Sequence, residues 1–283
     1  MMEYQIIKVF NNNVVLASQE QNQVILVSKG IGFGKKTGDT IQENTNIEKV
    51  FHELPSNSEN LDLKEISALS GKIKRLTREI IQIAEENLGS LNEHSEKMLM
   101  EHIEFAIERL GMGLTIENPF IDEIVILYNK EYEIAGIARD YIHETIGIDI
   151  GEEEQGFIAL HLCSARKNKS VNEIMKTTRI YKECLQFVES EYNINIINEG
   201  NFKKEFLRML RFYTECATKH KNIDLAIKKD VIKNLRSGYR ASIRIAKYLE
   251  QERNIELDEG LIVYMAIDIH KFISLMSNEQ NKY

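Results

Sequence analysis

The chain has 283 residues, of which 43% are hydrophobic and 28% are charged, and its formal net charge is −8 at pH 7. This composition is ordinary for a folded protein and excludes a mainly disordered chain. Two prolines, no tryptophan and abundant Ile, Leu, Glu and Lys favour helices. No apolar run reaches the roughly 18 residues of a membrane span, so no membrane insertion is expected. Three cysteines without a CxxC pair indicate reduced thiols in a cytoplasmic protein.

The charge is unevenly distributed along the chain. Residues 1–38 contain four lysines and two glutamates, a net charge of +2, which leaves −10 for the remainder. An acidic chain is not expected to bind nucleic acid over its whole length, and no DNA partner is predicted. The mildly basic head, residues 1–38, can still carry a small binding patch for nucleic acid. The head and the acidic remainder are therefore expected to have different functions.

The first 54 residues are predicted to form a small antiparallel all-β domain. Short segments rich in Val and Ile indicate strands, and clusters of Asn and Gln between them indicate turns. The predicted strands are residues 5–10, 14–18, 23–28 and a segment around 47–52. Residues 30–36 read Gly-Ile-Gly-Phe-Gly-Lys-Lys, and these alternating glycines pack poorly in a strand but let the backbone approach a ligand. A core this small is marginal alone, so self-association is expected.

A polar linker, residues 55–64, is predicted to separate the sheet from a helical body. Beyond it, apolar residues recur at a spacing of three or four, which is the period of an α-helix. We divide this body into two tandem all-α helical bundles, residues 65–170 and 171–283. The predicted fold is therefore a multidomain chain in which a β domain, residues 1–54, precedes two helical domains.

The division rests on an internal repeat. Two separated motifs recur at the same offset of 107 residues (209 − 102 and 268 − 161). The matching segments are 101–108 with 208–215 and 157–161 with 264–268. Residues 137–139 match residues 245–247 at an offset of 108, which predicts a one-residue slip between the repeats. Chance seldom preserves one offset across two motifs, so we interpret the body as a duplication.

Two of the seven histidines occupy matching ends of the first helical domain. His102 and His161 each lie among apolar residues. Such an imidazole can act as a base, bind a metal or accept a phosphoryl group, or it can be a hydrogen-bonded histidine on a half-buried helix face. The sequence contains no GxxxxGK[ST], HExxH or GxSxG motif and no further His/Asp set at metal-ligand spacing. We therefore expect no enzyme activity, no metal and no cofactor.

Several of these motifs resemble those of a known family. Residues 8–14 (Lys-Val-Phe-Asn-Asn-Asn-Val) and 29–36 (Lys followed by the glycine-rich segment) are similar to the RNA-binding head of BglG/SacY-type transcriptional antiterminators. Residues 101–109 and 156–162 resemble the family's regulation domains, which respond to the sugar phosphotransferase system. The Ser-Leu-Asn-Glu-His sequence at 90–94, together with the glycine-rich segment, resembles the glucose-type branch.

For the head, the resemblance implies a homodimer that binds an RNA hairpin, the antiterminator, in nascent sugar-operon mRNA. It implies that Asn13 hydrogen-bonds base or sugar edges and that Phe33 stacks on an exposed base. Lys8 and Lys29 would contact phosphates, and Gly30 would allow close approach. Phe33 could instead be a core aromatic residue, although glycines on both sides disfavour that interpretation.

For the body, the resemblance implies control by phosphorylation. A sugar permease component of the phosphotransferase system would transfer phosphate to His102 or His161 and inactivate the protein. The second domain is degenerate, because Met209 and Asp268 stand where the family carries two further histidines.

This domain could be a dimerisation module that needs no activation. Alternatively, the charge of Asp268 could hold an active-like packing, or Asp268 could be an ordinary surface or paired aspartate. Two other functions are considered. One is an interaction protein that is regulated by phosphorylation and has lost RNA binding. The other is a metal-dependent hydrolase built on His102 and His161. The presence of Asn13 and Phe33 disfavours the interaction protein, and the missing ligand set disfavours the hydrolase.

Overall fold

The computed structural model describes residues 3–11, 14–19, 22–28, 30–42, 47, 49–52, 63–111, 115–197 and 200–280. Two predicted RNA-binding residues, Asn13 and Lys29, lie outside these ranges, as does most of the predicted linker. The chain divides into two compact units. The first comprises residues 1–87, 93–118 and 135–158, and the second comprises residues 88–92, 119–134 and 159–283.

The head is a five-stranded antiparallel sheet with the strand order β4-β1-β2-β3-β5. The strands are β1 (Glu3–Asn11), β2 (Val14–Gln19), β3 (Asn22–Val27), β4 (Thr40–Gln42) and β5 (Lys49–His52). The predicted small antiparallel sheet is confirmed, and four of its strands were expected. The additional strand, β4, pairs with β1 and has three residues, which is too short to show an alternating pattern.

One face of this sheet carries the core of the head. Its residues alternate along the strands, as the period of two requires. The buried cluster contains Tyr4, Ile6, Val15, Ala17, Val24, Leu26 and Ile41 from the strands, and Ile31 from the glycine-rich segment. Because Ile31 enters this core, it fixes the glycine-rich segment to the sheet.

Ten helices follow in the part of the chain that the structure describes. The first five are α1 (Leu63–Leu88), α2 (Ser95–Gly111), α3 (Ile121–Leu127), α4 (Asn129–Ile146) and α5 (Gly151–Lys167). The second five are α6 (Val171–Tyr192), α7 (Gly200–Thr218), α8 (Lys228–Asn234), α9 (Arg236–Arg253) and α10 (Glu259–Gln280). Adding 107 to the bounds of α3 and α4 gives the bounds of α8 and α9, so the duplication extends to the helix boundaries.

The predicted one-residue slip inside this repeat is wrong. At an offset of 108, Ile137 would correspond to Ile245, yet the first is 47% exposed and the second only 1%. At an offset of 107, Ile245 corresponds to Ala138, which is also 1% exposed. Burial depends on the helix face that packs, and a slip of one residue would rotate that face by about 100°. The residues that look similar at an offset of 108 are therefore not structural counterparts.

The boundary between the two helical repeats is encoded locally. Ser170 caps α6, because its hydroxyl accepts the amide hydrogen of Glu173 while the Glu173 carboxylate accepts the amide hydrogen of Ser170. This capping box satisfies amide groups that a helix start would otherwise leave without partners. At the other end, Asn193 adopts the left-handed conformation, with φ of 51°, in which α6 ends.

Among the described helices, α10 is long and apolar enough to cross a membrane by length and composition. Seven of its apolar residues are buried, although Leu275 is 44% exposed, and α10 packs against α9 and α7. The buried ones are Leu261, Val263, Met265, Ala266, Ile269, Phe272 and Met276. A core helix passes the same composition test, so this is weak evidence for a membrane, and the absence of membrane insertion stays a prediction.

Candidate RNA interface and regulatory histidines

The glycine-rich segment, residues 30–36, forms turns that present Phe33 to solvent. The Phe33 amide donates a hydrogen bond of 3.0 Å to the Gly30 carbonyl, while neighbouring Ile31 is anchored in the core. Gly30 and Gly34 have φ values of 78° and 69°, in the left-handed region that favours glycine. The Phe33 side chain is 75% exposed. This exposure excludes the alternative interpretation of Phe33 as a core aromatic residue.

Basic side chains accompany this exposed ring. Lys35 and Lys36 are exposed, and the turn that carries them is fixed by a 2.8 Å hydrogen bond from the Lys36 amide to the Asp39 carboxylate. The described head thus combines a projecting aromatic ring with nearby cations. Proteins bind single-stranded nucleic acid with this combination, because the ring stacks on a base while the cations approach phosphates.

Lys8, the other described residue with a predicted phosphate contact, pairs with the helical body. Its Nζ lies 2.5 Å from Oε1 of Glu108, and the two side chains are 48% and 31% exposed. A pair this exposed contributes at most about 1 kcal/mol. This pair therefore costs little to break, and the phosphate contact of Lys8 stays a prediction.

His102 lies in a charged cluster that we call the His102 cluster: His102, Arg109 and Glu154. Nε2 of His102 lies 3.1 Å from Oε2 of Glu154, and the other carboxylate oxygen accepts a hydrogen bond from the Arg109 guanidinium. His102 and Arg109 share one face of α2, because seven residues make two helical turns. Glu154 belongs to the first turn of α5. The cluster thus connects α2 to the start of α5.

The His102 cluster is largely closed to solvent. The side chains of His102, Arg109 and Glu154 are 15%, 8% and 4% exposed, and Nε2 of His102 is buried. Burial lowers the pKa of Arg109, although the adjacent Glu154 carboxylate acts in the opposite direction. The Phe157 ring lies beside the imidazole, with a centroid distance of 6.1 Å and an interplanar angle of 56°. A phosphate donor would reach Nε2 only if these groups rearranged.

The other predicted acceptor, His161, is half-buried on α5. Leu160 and Leu162 on either side of it are buried. His102 belongs to the first compact unit and His161 to the second. Within the described ranges, no group of three or more His, Cys, Asp or Glu side chains could hold a metal ion. The hydrolase alternative therefore has no ligand set among these residues.

The second repeat lacks the His102 cluster entirely. The residues 107 positions after His102, Arg109 and Glu154 are Met209, Cys216 and Leu261. Met209 is 8% exposed and Leu261 is fully buried. The histidine, its carboxylate partner and the arginine have thus all been replaced by side chains without a full charge. A coordinated replacement is expected, because a buried charge left without its partner is strongly destabilising.

Asp268, at the other degenerate position, is a paired residue. It accepts a 2.7 Å hydrogen bond from the Tyr213 hydroxyl and lies 3.4 Å from Nζ of Lys271. Burial and the adjacent Asp268 carboxylate both raise the pKa of Tyr213, so the phenol stays protonated and donates. The charge of Asp268 is therefore already engaged within its own domain.

Sequence reasoning missed Arg109 and Glu154. An acidic run such as residues 152–154 is typical of a helix start or of a solvated face. These residues do form the first turn of α5, but Glu154 is 4% exposed and therefore does not lie on a solvated face. The helical period contained the signal. Positions 154, 158 and 162 share one face, and Ile158 and Leu162 are buried.

Comparison with known proteins places the chain among characterised relatives. Residues 4–60 match the CAT RNA binding domain, and residues 78–165 and 182–272 match the PRD domain. Protein GlcT of Staphylococcus haemolyticus is 29% identical over 99% of this chain and 100% of its own length. The beta-glucoside operon antiterminator of Dickeya chrysanthemi is 30% identical over 97% of this chain and 98% of its own length. A crystal structure of GlcT CAT-PRDI is 38% identical, covers 58% of this chain and 98% of that chain, and has a TM-score of 0.33.

Proposed function

Because the chain belongs to the family of transcriptional antiterminators that join a CAT RNA binding domain to two PRD domains, we propose that it stabilises an antiterminator hairpin in nascent sugar-operon mRNA. It is an RNA-binding antiterminator regulator and not an enzyme, and its resemblance to GlcT proteins supports the glucose-type branch. The proposal adds that a sugar permease component phosphorylates His102 or His161, and that the protein acts as a cytoplasmic homodimer.

The exposed Phe33 carries the RNA part of the proposal. A phenylalanine held 75% exposed between two glycines has little packing role, so its place on the turn favours binding. Hairpin loops offer unstacked bases, and stacking one on an aromatic ring contributes about 1–3 kcal/mol. In the alternative of a regulated interaction protein without RNA binding, the same ring would have to contact a protein partner.

The His102 cluster supports the regulatory part. A phosphohistidine brings roughly two negative charges, by analogy with other phosphorylated side chains. Glu154 lies 3.1 Å from the imidazole, and two unit charges about 4 Å apart interact by about 4 kcal/mol at an effective dielectric constant of about 20. Phosphorylated His102 therefore repels Glu154 and competes with it for Arg109. The contact between α2 and the start of α5 would then rearrange, which couples phosphorylation to the packing of the first PRD domain.

The degenerate second domain is consistent with control by phosphorylation of the first PRD domain alone. Met209 cannot accept a phosphoryl group, and Asp268 is engaged with Tyr213 and Lys271. Family members with histidines in the second domain can be activated when the general phosphocarrier protein phosphorylates them. We therefore propose that phosphate enters this protein through the first PRD domain, and that the phosphocarrier protein does not activate the second one. The second domain then serves dimerisation and needs no activation.

Sequencing of co-purified RNA tests the RNA-binding proposal. The full-length protein and its Phe33→Ala variant would be purified from cells, and the bound RNA would be sequenced. We expect the wild type to enrich a hairpin that overlaps a terminator upstream of a sugar permease gene, and the variant to enrich it weakly. Recovery of unrelated RNA alone, or equal enrichment by both proteins, would contradict the proposal.

A further inference from the structure

A cavity of about 260 Å³ in the second compact unit has an unusual charge. Its wall includes the C-terminus of α3, the end of α5, one face each of α6 and α7, and the last residue of α9. The cavity therefore joins the tail of the first helical repeat to the second repeat. None of its basic residues belongs to the head or to the His102 cluster.

Five cationic side chains and one carboxylate line this cavity. The cations are Lys167, Lys169, Arg211, Lys219 and Arg253. The carboxylate, Glu215, accepts a 2.8 Å hydrogen bond from Nε of the arginine on α7. The described residues form no ion pair within 4 Å with the other four cations, which are Lys167, Lys169, Lys219 and Arg253. The cavity thus holds a formal excess of four positive charges in a chain whose net charge is −8.

The effect of this charge is seen on Glu215. Burial would raise the pKa of this carboxyl, but the hydrogen bond from Arg211 and the charges of Arg211, Lys219 and Lys167 lower it. The local potential therefore favours an anion, and one carboxylate neutralises only a small part of it.

Hydroxyl groups lie beside these cations. Tyr128 and Tyr181 are each 3% exposed, and burial raises the pKa of both phenols, so they stay protonated. A guanidinium nitrogen of Arg253 donates to the Thr177 hydroxyl at 3.2 Å, and Nζ of Lys167 lies 4.8 Å from the centre of the Tyr128 ring. Guanidinium, ammonium and hydroxyl donors that converge on one space are the groups that recognise phosphate oxygens.

Three of the cationic residues have no cationic counterpart in the first helical repeat. The counterparts of Arg211, Lys219 and Arg253, found 107 residues earlier, are Glu104, Met112 and Ile146. The first repeat therefore has an acid and two apolar residues where the second repeat has three cations. A cluster that is absent from one copy of a duplication cannot be attributed to the shared helical scaffold.

We propose that this cavity binds a phosphate dianion, either as inorganic phosphate or as the phosphoryl group of a small phosphorylated metabolite. A volume of 260 Å³ is smaller than the roughly 300–1,000 Å³ of sites for drug-sized ligands, so it suits a phosphoryl group with a short carbon body. The bound anion would connect the end of α5 to α7 and α9. It would stabilise this unit and give the regulator an input that needs no phosphorylated histidine. The binding proposal does not depend on the assignment of His102 or His161 as phosphate acceptors.

Titration of the full-length protein tests this site. Inorganic phosphate and glycerol 3-phosphate would be added at constant ionic strength, set with sodium chloride, and followed by calorimetry and thermal unfolding. Arg253→Gln and Lys219→Gln remove cations from two different places, the last residue of α9 and the residue directly after α7, so one variant can still test the site if the other does not fold. Arg240→Gln is the matched control, because Arg240 is exposed on α9, the helix that carries Arg253, and does not line the cavity.

We expect binding to the wild type and to Arg240→Gln, with a rise in Tm of about 2–5 °C near saturation. The affinity should fall about tenfold or more in the two rim variants. A tighter complex with glycerol 3-phosphate would identify a phosphorylated metabolite as the ligand, and equal affinities would identify inorganic phosphate. The proposal is overturned if neither probe binds the wild type, or if a folded rim variant binds as the control does.

Discussion

Nε2 of His102 and Oε2 of Glu154 lie 3.1 Å apart, although 52 residues separate them in the sequence. Arg109 contacts the other oxygen of the same carboxylate. The proposed phosphate acceptor thus lies against a buried ion pair formed by Arg109 and Glu154. A change of charge at the imidazole acts directly on the contact between α2 and α5, which is the physical basis of the proposed switch.

Removal of the carboxylate charge should destabilise the first PRD domain. In Glu154→Gln the buried Arg109 loses its partner, and we expect the free energy of unfolding to fall by about 3–5 kcal/mol. Urea unfolding followed by circular dichroism measures this loss. Glu152→Gln is the control, because Glu152 is exposed in the same helical turn and should change stability by less than about 0.5 kcal/mol. Equal losses in the two variants would show that the His102 cluster has no special energetic role.

Phosphate from the sugar permease component should label His102 or His161. The measurement is an in vitro transfer assay with mass spectrometry, and the double variant His102→Ala/His161→Ala should lose the label. His94→Ala is an informative control, because His94 is 76% exposed and would be the acceptor if accessibility alone decided. Retention of the label and of repression in the double variant would contradict the assignment.

The exposed ring of Phe33 should contribute directly to RNA affinity. Phe33→Ala should weaken hairpin binding by about 1–3 kcal/mol, or roughly 5- to 150-fold in Kd, if the ring stacks on a base. Gel-shift titration measures this change. Phe212→Ala provides a matched control, because Phe212 is 55% exposed but lies on α7. A folded Phe33→Ala protein with wild-type affinity would exclude stacking.

Asp268→Asn should leave antitermination unchanged. The asparagine oxygen can still accept the Tyr213 hydroxyl, so we expect only the charge-assisted part of this bond to be lost, about 1–2 kcal/mol of stability. A transcriptional reporter and sedimentation analysis measure the effect. If the variant kept its fold but lost antitermination or dimerisation, Asp268 would instead be holding an active-like packing.

The three cysteines should differ in reactivity. Burial raises the pKa of Cys163 to about 11 and that of Cys184 to about 12, so both thiols are protonated near pH 8. Cys216 is only half-buried. We therefore expect iodoacetamide to alkylate Cys216 first in the native protein, and all three cysteines at similar rates in urea. Fast native labelling of Cys163 would contradict the burial of that thiol.

The sequence by itself determined the elements and their repetition. Alternating Val and Ile indicated four of the five strands of the head, and the period of 3.6 indicated the helices. The offset of 107 indicated that the helical pattern recurs, although a slip of one residue was wrongly expected inside it. The glycines on both sides of Phe33 disfavoured a core position for its ring, because glycine has no side chain to pack beside it. These signals are local, since each depends on residues that are close in the chain.

Only the tertiary structure decided which of these elements meet. The helical period shows that Glu154 faces inward, but the identity of its partners, His102 and Arg109, depends on how α2 packs against α5. The basic cavity is assembled in the same way, because Lys167, Arg211 and Arg253 come from the ends or faces of three helices. A periodic pattern specifies which face of a helix is buried, and it contains no information about the distant residue that this face will contact.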